Sequence, residues 1–142
     1  MSGLAEQVAQ TAERAVAMGA ERGGGALDYS AASLAVVEEM LAEIASFWDD
    51  LAAKERGIIS QDFGCYLLEV ARHEFGGEYQ WFEDREQPVL VVERPDCQVA
   101  LMAWDKIRGR ASGDEADNIP FFYDGFAQAA SAAKPGTNSL FV

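Results

Sequence analysis

Hydrophobic positions recur at helical spacing over several stretches of this chain and alternate at strand spacing over another, and their order predicts an α+β fold. From residue 31 to about 53, Val37, Met40, Leu41, Ile44, Trp48 and Leu51 fall on one side of a helix, with Glu38, Glu39, Glu43, Asp49 and Asp50 opposite. Ser30 is placed to cap its start. Lys54-Glu55-Arg56-Gly57 then reads as a short link, which predicts an antiparallel neighbour helix running to Phe75. In that second helix Phe63, Tyr66, Leu67 and Val70 form the core stripe. Asp62, Tyr66, Glu69 and His73 line one flank, while Cys65, Leu68 and Arg72 point away from the stripe. Gly76-Gly77 stops it, because glycine takes the left-handed conformation of a helix end at little steric cost.

Beyond the glycines, Glu78–Phe82 alternates with aromatics and Pro88–Val92 is its expected hairpin partner. Arg94-Pro95-Asp96 is a turn, and Cys97–Met102 suits a third strand, although strand and helix compete over residues 97–110. Ile119, Phe122, Tyr123, Phe126, Ala129 and Ala130 form the face of a last helix, capped by Asp117 or Asn118 with Pro120 in its first turn. At the other end, residues 3–20 form an alanine-rich helix whose stripe of Leu4, Val8, Ala12, Ala15 and Gly19 is small, which predicts loose docking. Gly23-Gly24-Gly25 breaks it, and Ala26–Tyr29 suits an extended segment. The predicted architecture is one domain: a loosely docked helix and Gly-rich linker over 1–25, a core over 26–134 and a tail over 135–142. Within the core, two long antiparallel helices and a C-terminal helix pack on a small, mainly antiparallel sheet of about three strands.

Composition narrows the partners more than the fold. With 11 Lys and Arg against 24 Asp and Glu, the net charge is −13. Such a charge argues against binding nucleic acid or an anionic membrane and allows a basic protein partner. No apolar run approaches the roughly 18 residues of a membrane span, and the first residues carry acids instead of a basic leader, so a cytoplasmic location is expected. Cys65 and Cys97 do not make a disulfide framework and are expected to be free thiols.

Candidate chemistry is sparse. His73, the single histidine, follows Glu69 by one helical turn, so the two can meet as half a metal site or as a base with an orienting carboxylate. A metal would need ligands from elsewhere, and neither a metal nor a cofactor is expected. Cys65 and His73 are eight residues apart on one helix, about 12 Å, too far for a nucleophile and its base. Gly23-Gly24-Gly25 lacks the lysine and hydroxyl of a phosphate loop, and no nucleophile elbow occurs. No catalytic residue is assigned. Tyr66, Glu69 and His73 remain the candidate ligand-binding residues, with an internal hydrogen-bonded seam as the competing explanation for Tyr66 and Glu69.

The run Gly64-x-Tyr66-x-x-Glu69-Val70-x-Arg72, followed by Gly76-Gly77 and Trp81 and later by Phe122-Tyr123, resembles a family of small bacterial proteins of unknown function. Some members look like immunity proteins encoded beside toxins. The resemblance covers roughly residues 28–130. It implies an α+β fold and assigns Gly64, Tyr66, Glu69, Gly76, Gly77 and Trp81 to the fold, without implying an activity. Three functions therefore compete: a non-catalytic intracellular binding module, with an immunity-type inhibitor of a basic partner as its specific form; a small enzyme around Tyr66, Glu69 and His73; and a structural or oligomerising protein using the small-residue faces of its end helices.

Overall fold

The computed structural model describes residues 3–22, 27–132 and 134–142, and it is an α+β fold of five α-helices and a four-stranded mixed sheet. The predicted break at Gly23–Gly25, and Ala26 after it, lie outside the described residues. In chain order the elements are α1 (Gly3–Arg22), α2 (Leu34–Ala45), α3 (Ala53–Phe75), β1 (Glu78–Phe82), β2 (Gln87–Arg94), β3 (Cys97–Leu101), α4 (Trp104–Ala111), α5 (Ile119–Ala132) and β4 (Asn138–Phe141).

α3 is the centre of the molecule. It packs against α1 on one side and α4 on the other, with the sheet close to its C-terminal half. Phe63, Tyr66, Leu67 and Val70 are buried as their spacing predicts, but so are Cys65 and Leu68, which the helical wheel turns away from the stripe. Over residues 62–71 every position is buried, so this stretch has no solvent face, and neighbours on both flanks remove it. Gly64 permits this packing: a Cβ there would collide with the Trp104 indole and come within 3.2 Å of the Trp104 Cα.

Several expected boundaries move. The helix predicted over 31–53 is interrupted: a 3-10 turn at Ala31–Ser33 precedes α2, and another at Trp48–Asp50 follows it. Ser30 caps the first turn by accepting the Ser33 N–H at 3.2 Å. α2 ends because the Ser46 hydroxyl bonds back to the Glu43 carbonyl at 2.6 Å and Phe47 leaves helical dihedrals at φ −131°. The supposed link at 54–57 is the first turn of α3, where the Glu55 carboxylate accepts the Ala52 N–H at 2.9 Å, one half of a capping box. The expected α2–α3 pair is accordingly replaced: α3 lies on α1 and α4, and α2 lies on α4 and α5.

The small-residue stripe of α1, from which the sequence predicts loose docking, is buried: Val8, Ala12 and Ala15 are closed off from solvent. Small side chains bury little area each, yet they let two helix backbones approach closely. At Gly19 an added Cβ would lie 2.9 Å from the Leu27 Cγ, so the absence of a side chain lets Leu27 close the end of that contact.

The sheet order is β1-β2-β3-β4. β1–β2 and β2–β3 are antiparallel hairpins, with Tyr79 opposite Leu90 and Val92 opposite Val99. The contested stretch 97–110 contains both forms, strand β3 and then helix α4. The tail supplies a fourth strand: after the α4–α5 crossover, β4 pairs parallel with β3, Ala100 opposite Leu140. Leu90, Val92, Val99 and Leu101 face the helices and belong to the main core. α5 starts as expected, with the Asn118 side chain accepting the Phe121 N–H at 2.9 Å.

Two glycines in α3 give opposite expectations. Gly64→Ala forces a Cβ into the Trp104 backbone contact and should lower stability by about 1–3 kcal/mol in urea unfolding. Gly57→Ala meets open space in a helical position, and should raise stability by about 0.5–1 kcal/mol in the same assay.

Candidate functional site

The residues singled out by the sequence share one flank of α3, but each is committed to a different neighbour. The buried Tyr66 hydroxyl accepts the Tyr29 N–H at 2.8 Å and lies 2.6 Å from the Ser33 Oγ. The Ser33 proton goes to the Ser30 carbonyl, so Tyr66 donates to Ser33. Tyr29 needs this anchor, because its backbone is left-handed at φ 66°, uncommon for a residue with a large side chain. Its ring lies between Tyr66 and His73, with centroids 5.0 and 4.9 Å away.

Glu69, also buried, accepts the Tyr79 hydroxyl of β1 at 2.6 Å, and its other oxygen lies 4.0 Å from the half-exposed His73 Nε2. Burial first, and then the Glu69 hydrogen bond, push the Tyr79 hydroxyl far above the ordinary phenol range. Tyr66 is raised as well, chiefly by burial. The Cys65 thiol is pushed up to about 12 by burial, which suppresses the thiolate that a nucleophile needs. The Trp104 indole N–H, buried without an oxygen or nitrogen partner, is set against that sulfur. Tyr66, Glu69 and His73 thus join α3 to the 29–33 segment and to β1 as an internal seam. No group of three or more His, Cys, Asp or Glu among the described residues is arranged to hold a metal ion.

Of the fold positions assigned by resemblance, Gly64, Tyr66 and Glu69 sit in these contacts. Gly77, at φ 106°, would bring a Cβ within 2.7 Å of the Val91 carbonyl, and Gly76 ends α3 at φ 76°. Trp81 is 47% exposed, resting edge-on against Trp104 with centroids 6.3 Å apart.

Other buried or partly buried polar contacts have no signal in the sequence. Glu38, assigned to a solvated acidic face, accepts from Arg110 Nε at 2.6 Å and from the Ile119 N–H at 3.0 Å, tying α2 to α4 and to the start of α5. The Tyr123 hydroxyl donates to Glu74 at 2.5 Å. Asp62 is buried at the α1–α3 contact, with one oxygen unbonded and Arg14 3.8 Å away. Burial raises its pKa to about 6 from 3.8, against a smaller opposing effect of Arg14.

The outer face of the sheet, turned away from the helices, is a different kind of surface. Val89, Val91 and Met102 form a separate apolar cluster there, themselves 8% exposed or less, with the partly buried Phe82, Ala100 and Val142 packed against them. Leu140, 50% exposed, continues it across β4. All of these except Val142 line a groove of about 310 Å³ rimmed by Gln80, Gln98 and Asn138. Register puts Glu78 beside Val91 and Glu93 beside Gln98 on the same face, both exposed. The signal was present in the sequence: Val89-Leu90-Val91-Val92 is apolar on both faces, where a half-solvated strand alternates.

No family model matches this chain, and no curated protein or solved structure matches it. No helix among the described residues is long and apolar enough to cross a membrane.

Glu69→Ala strips the Tyr79 hydroxyl of its acceptor and should cost about 1–3 kcal/mol, read as a lower unfolding midpoint. For Asp62 the sign is opposite. Its folded-state pKa is raised, so the folded protein binds the proton more readily than the unfolded chain, and the burial penalty is fully present above about pH 6. Asp62→Asn should therefore melt higher than the parent at pH 7.5, with the difference shrinking as pH falls from about 6 towards 3.8.

Proposed function

We propose that this chain is a non-catalytic binding module of the bacterial cytoplasm that takes a basic protein partner on the outer face of its sheet, in the manner of an immunity-type inhibitor. The observation that carries the reading is the apolar groove floored by the closed-off Val89, Val91 and Met102, flanked by the partly exposed Phe82 and Ala100 and opened at the half-exposed Leu140, which no helix among the described residues covers. Contiguous apolar surface with a polar rim is characteristic of protein docking sites. The sign of the partner follows from the carboxylates of Glu78 and Glu93 on that face and from the net charge of −13.

The enzyme reading around Tyr66, Glu69 and His73 has less support. Two of its three members are buried, their polar atoms are used by Tyr29, Ser33 and Tyr79, and the neighbouring thiol is held protonated. The resemblance to immunity-like proteins is part of this proposal and rests on the Gly64–Trp81 pattern with the later Phe122-Tyr123.

The test is affinity capture from lysate of the source cells with the parent protein and with Ala100→Arg and Glu78→Lys/Glu93→Lys. A basic partner should be retained at low salt, released as salt rises, and lost with both variants. A partner retained equally by Ala100→Arg, or one that is acidic, would overturn the proposal.

A further inference from the structure

The sheet has two free edges, and they differ in charge. β1 carries Glu78, is followed directly by Glu83 and Asp84, and has α1 packed nearby. Charged side chains are a common device for keeping a sheet edge from pairing with another chain. β4 has none: Asn138, Ser139, Leu140 and Phe141 carry no charged side chain.

Its backbone is also aimed outward in a defined way. The Gln98 N–H donates to the Thr137 carbonyl at 3.1 Å and the Met102 N–H to the Phe141 carbonyl at 2.8 Å. In an evenly spaced parallel ladder the residues facing the neighbour alternate, so Thr137, Ser139 and Phe141 face β3. Asn138 and Leu140 therefore present their N–H and C=O groups to the open side. Beside this edge runs a groove against α5, in two stretches of about 360 and 450 Å³ that share Gly125 and Gln128. Its wall includes Phe141 and Phe121, the latter 77% exposed. The charges lining it are few and mixed: Lys106, already held by Asp117 at 3.0 Å, with Lys134 and Asp124.

We propose that β4 pairs antiparallel with β4 of a second copy, joining two sheets into one across a two-fold axis. The occupant is another copy because the edge is self-complementary and uncharged: it offers a basic partner no row of carboxylates, and it brings no like charges of its own strand together. With two outward-facing residues per strand, the register that satisfies all of them places Asn138 opposite Leu140 of the second copy, with Ser139 on the axis. Leu140 of each copy then extends the apolar outer face across the seam. The acid-bearing β1 edge does not repeat the contact, so assembly closes at a dimer.

The contact is uncharged and backbone-mediated while each copy carries a net charge of −13. Raising salt screens the mutual repulsion and should tighten the dimer, the reverse of the salt release expected for a basic partner. The two proposals can therefore fail separately.

The experiment is sedimentation equilibrium of the full chain from micromolar to millimolar concentration, at low and high salt. A monomer–dimer equilibrium that strengthens with salt is expected. Leu140→Pro removes an outward N–H and leaves the bonds to β3, a position where an edge strand tolerates proline. Leu140→Lys places a charge at the seam. Each should weaken self-association roughly tenfold or more, with an unchanged circular dichroism spectrum, whereas Glu83→Gln beside β1 should leave it unaltered. Amide hydrogen exchange gives a second readout: protection at Asn138 and Leu140 should rise with protein concentration. A parent protein that stays monomeric at every salt, or a dimer that survives both Leu140 variants, would overturn the proposal.

Discussion

Everything else in this structure depends on burying the middle of α3, residues 62–71, from all sides. A helical stretch with no solvent face must be approached closely by its neighbours, and the residues that allow this are small: Gly64 under Trp104, and Ala12 and Ala15 of α1. Large side chains fill the remaining space, with Phe63, Tyr66, Leu67 and Leu68 closed off from solvent. Full burial of side chains of this size stabilises a fold by about 1.5–3 kcal/mol each, which is why a single Cβ at Gly64 matters.

The same burial dictates the polar chemistry. A tyrosine or carboxylate carried into such a position must find partners inside the protein, because an unmet hydrogen bond there is expensive. Tyr66 therefore holds the left-handed Tyr29 segment, Glu69 holds Tyr79 of β1, and Glu38 ties α2 to both α4 and α5. Asp62 is the member left incompletely satisfied. The polar flank of α3 thus organises the fold, and on the proposed reading recognition falls to the outer side of the sheet, which no helix among the described residues covers.

What could be read from the sequence were patterns set by neighbours along the chain. Helical spacing identified Phe63, Val70, Tyr123 and Phe126 as core, and the Gly76-Gly77 stop and the β1–β2 hairpin stand where the residues place them. Boundaries failed where one local bond decides them: the Ser46 hydroxyl ends α2, and Glu55 starts α3 earlier than its glycine suggests. Contacts far apart in sequence left no trace at all. Glu38 and Arg110 are 72 residues apart, and β4 is too short to be recognised without β3 beside it. At the candidate site, the grouping of Tyr66, Glu69 and His73 on one flank could be read, but their separate partners Tyr29, Ser33 and Tyr79 could not.

The central claim is that recognition belongs to the sheet and not to the α3 flank. Hydrogen–deuterium exchange of the protein, alone and in the complex recovered from its own lysate, tests this most directly. The account predicts added protection over residues 78–102 and 137–142, with exchange across residues 62–75 unchanged. Protection that grows only around Tyr29, Tyr66 and His73 would contradict it and return the site to the helix.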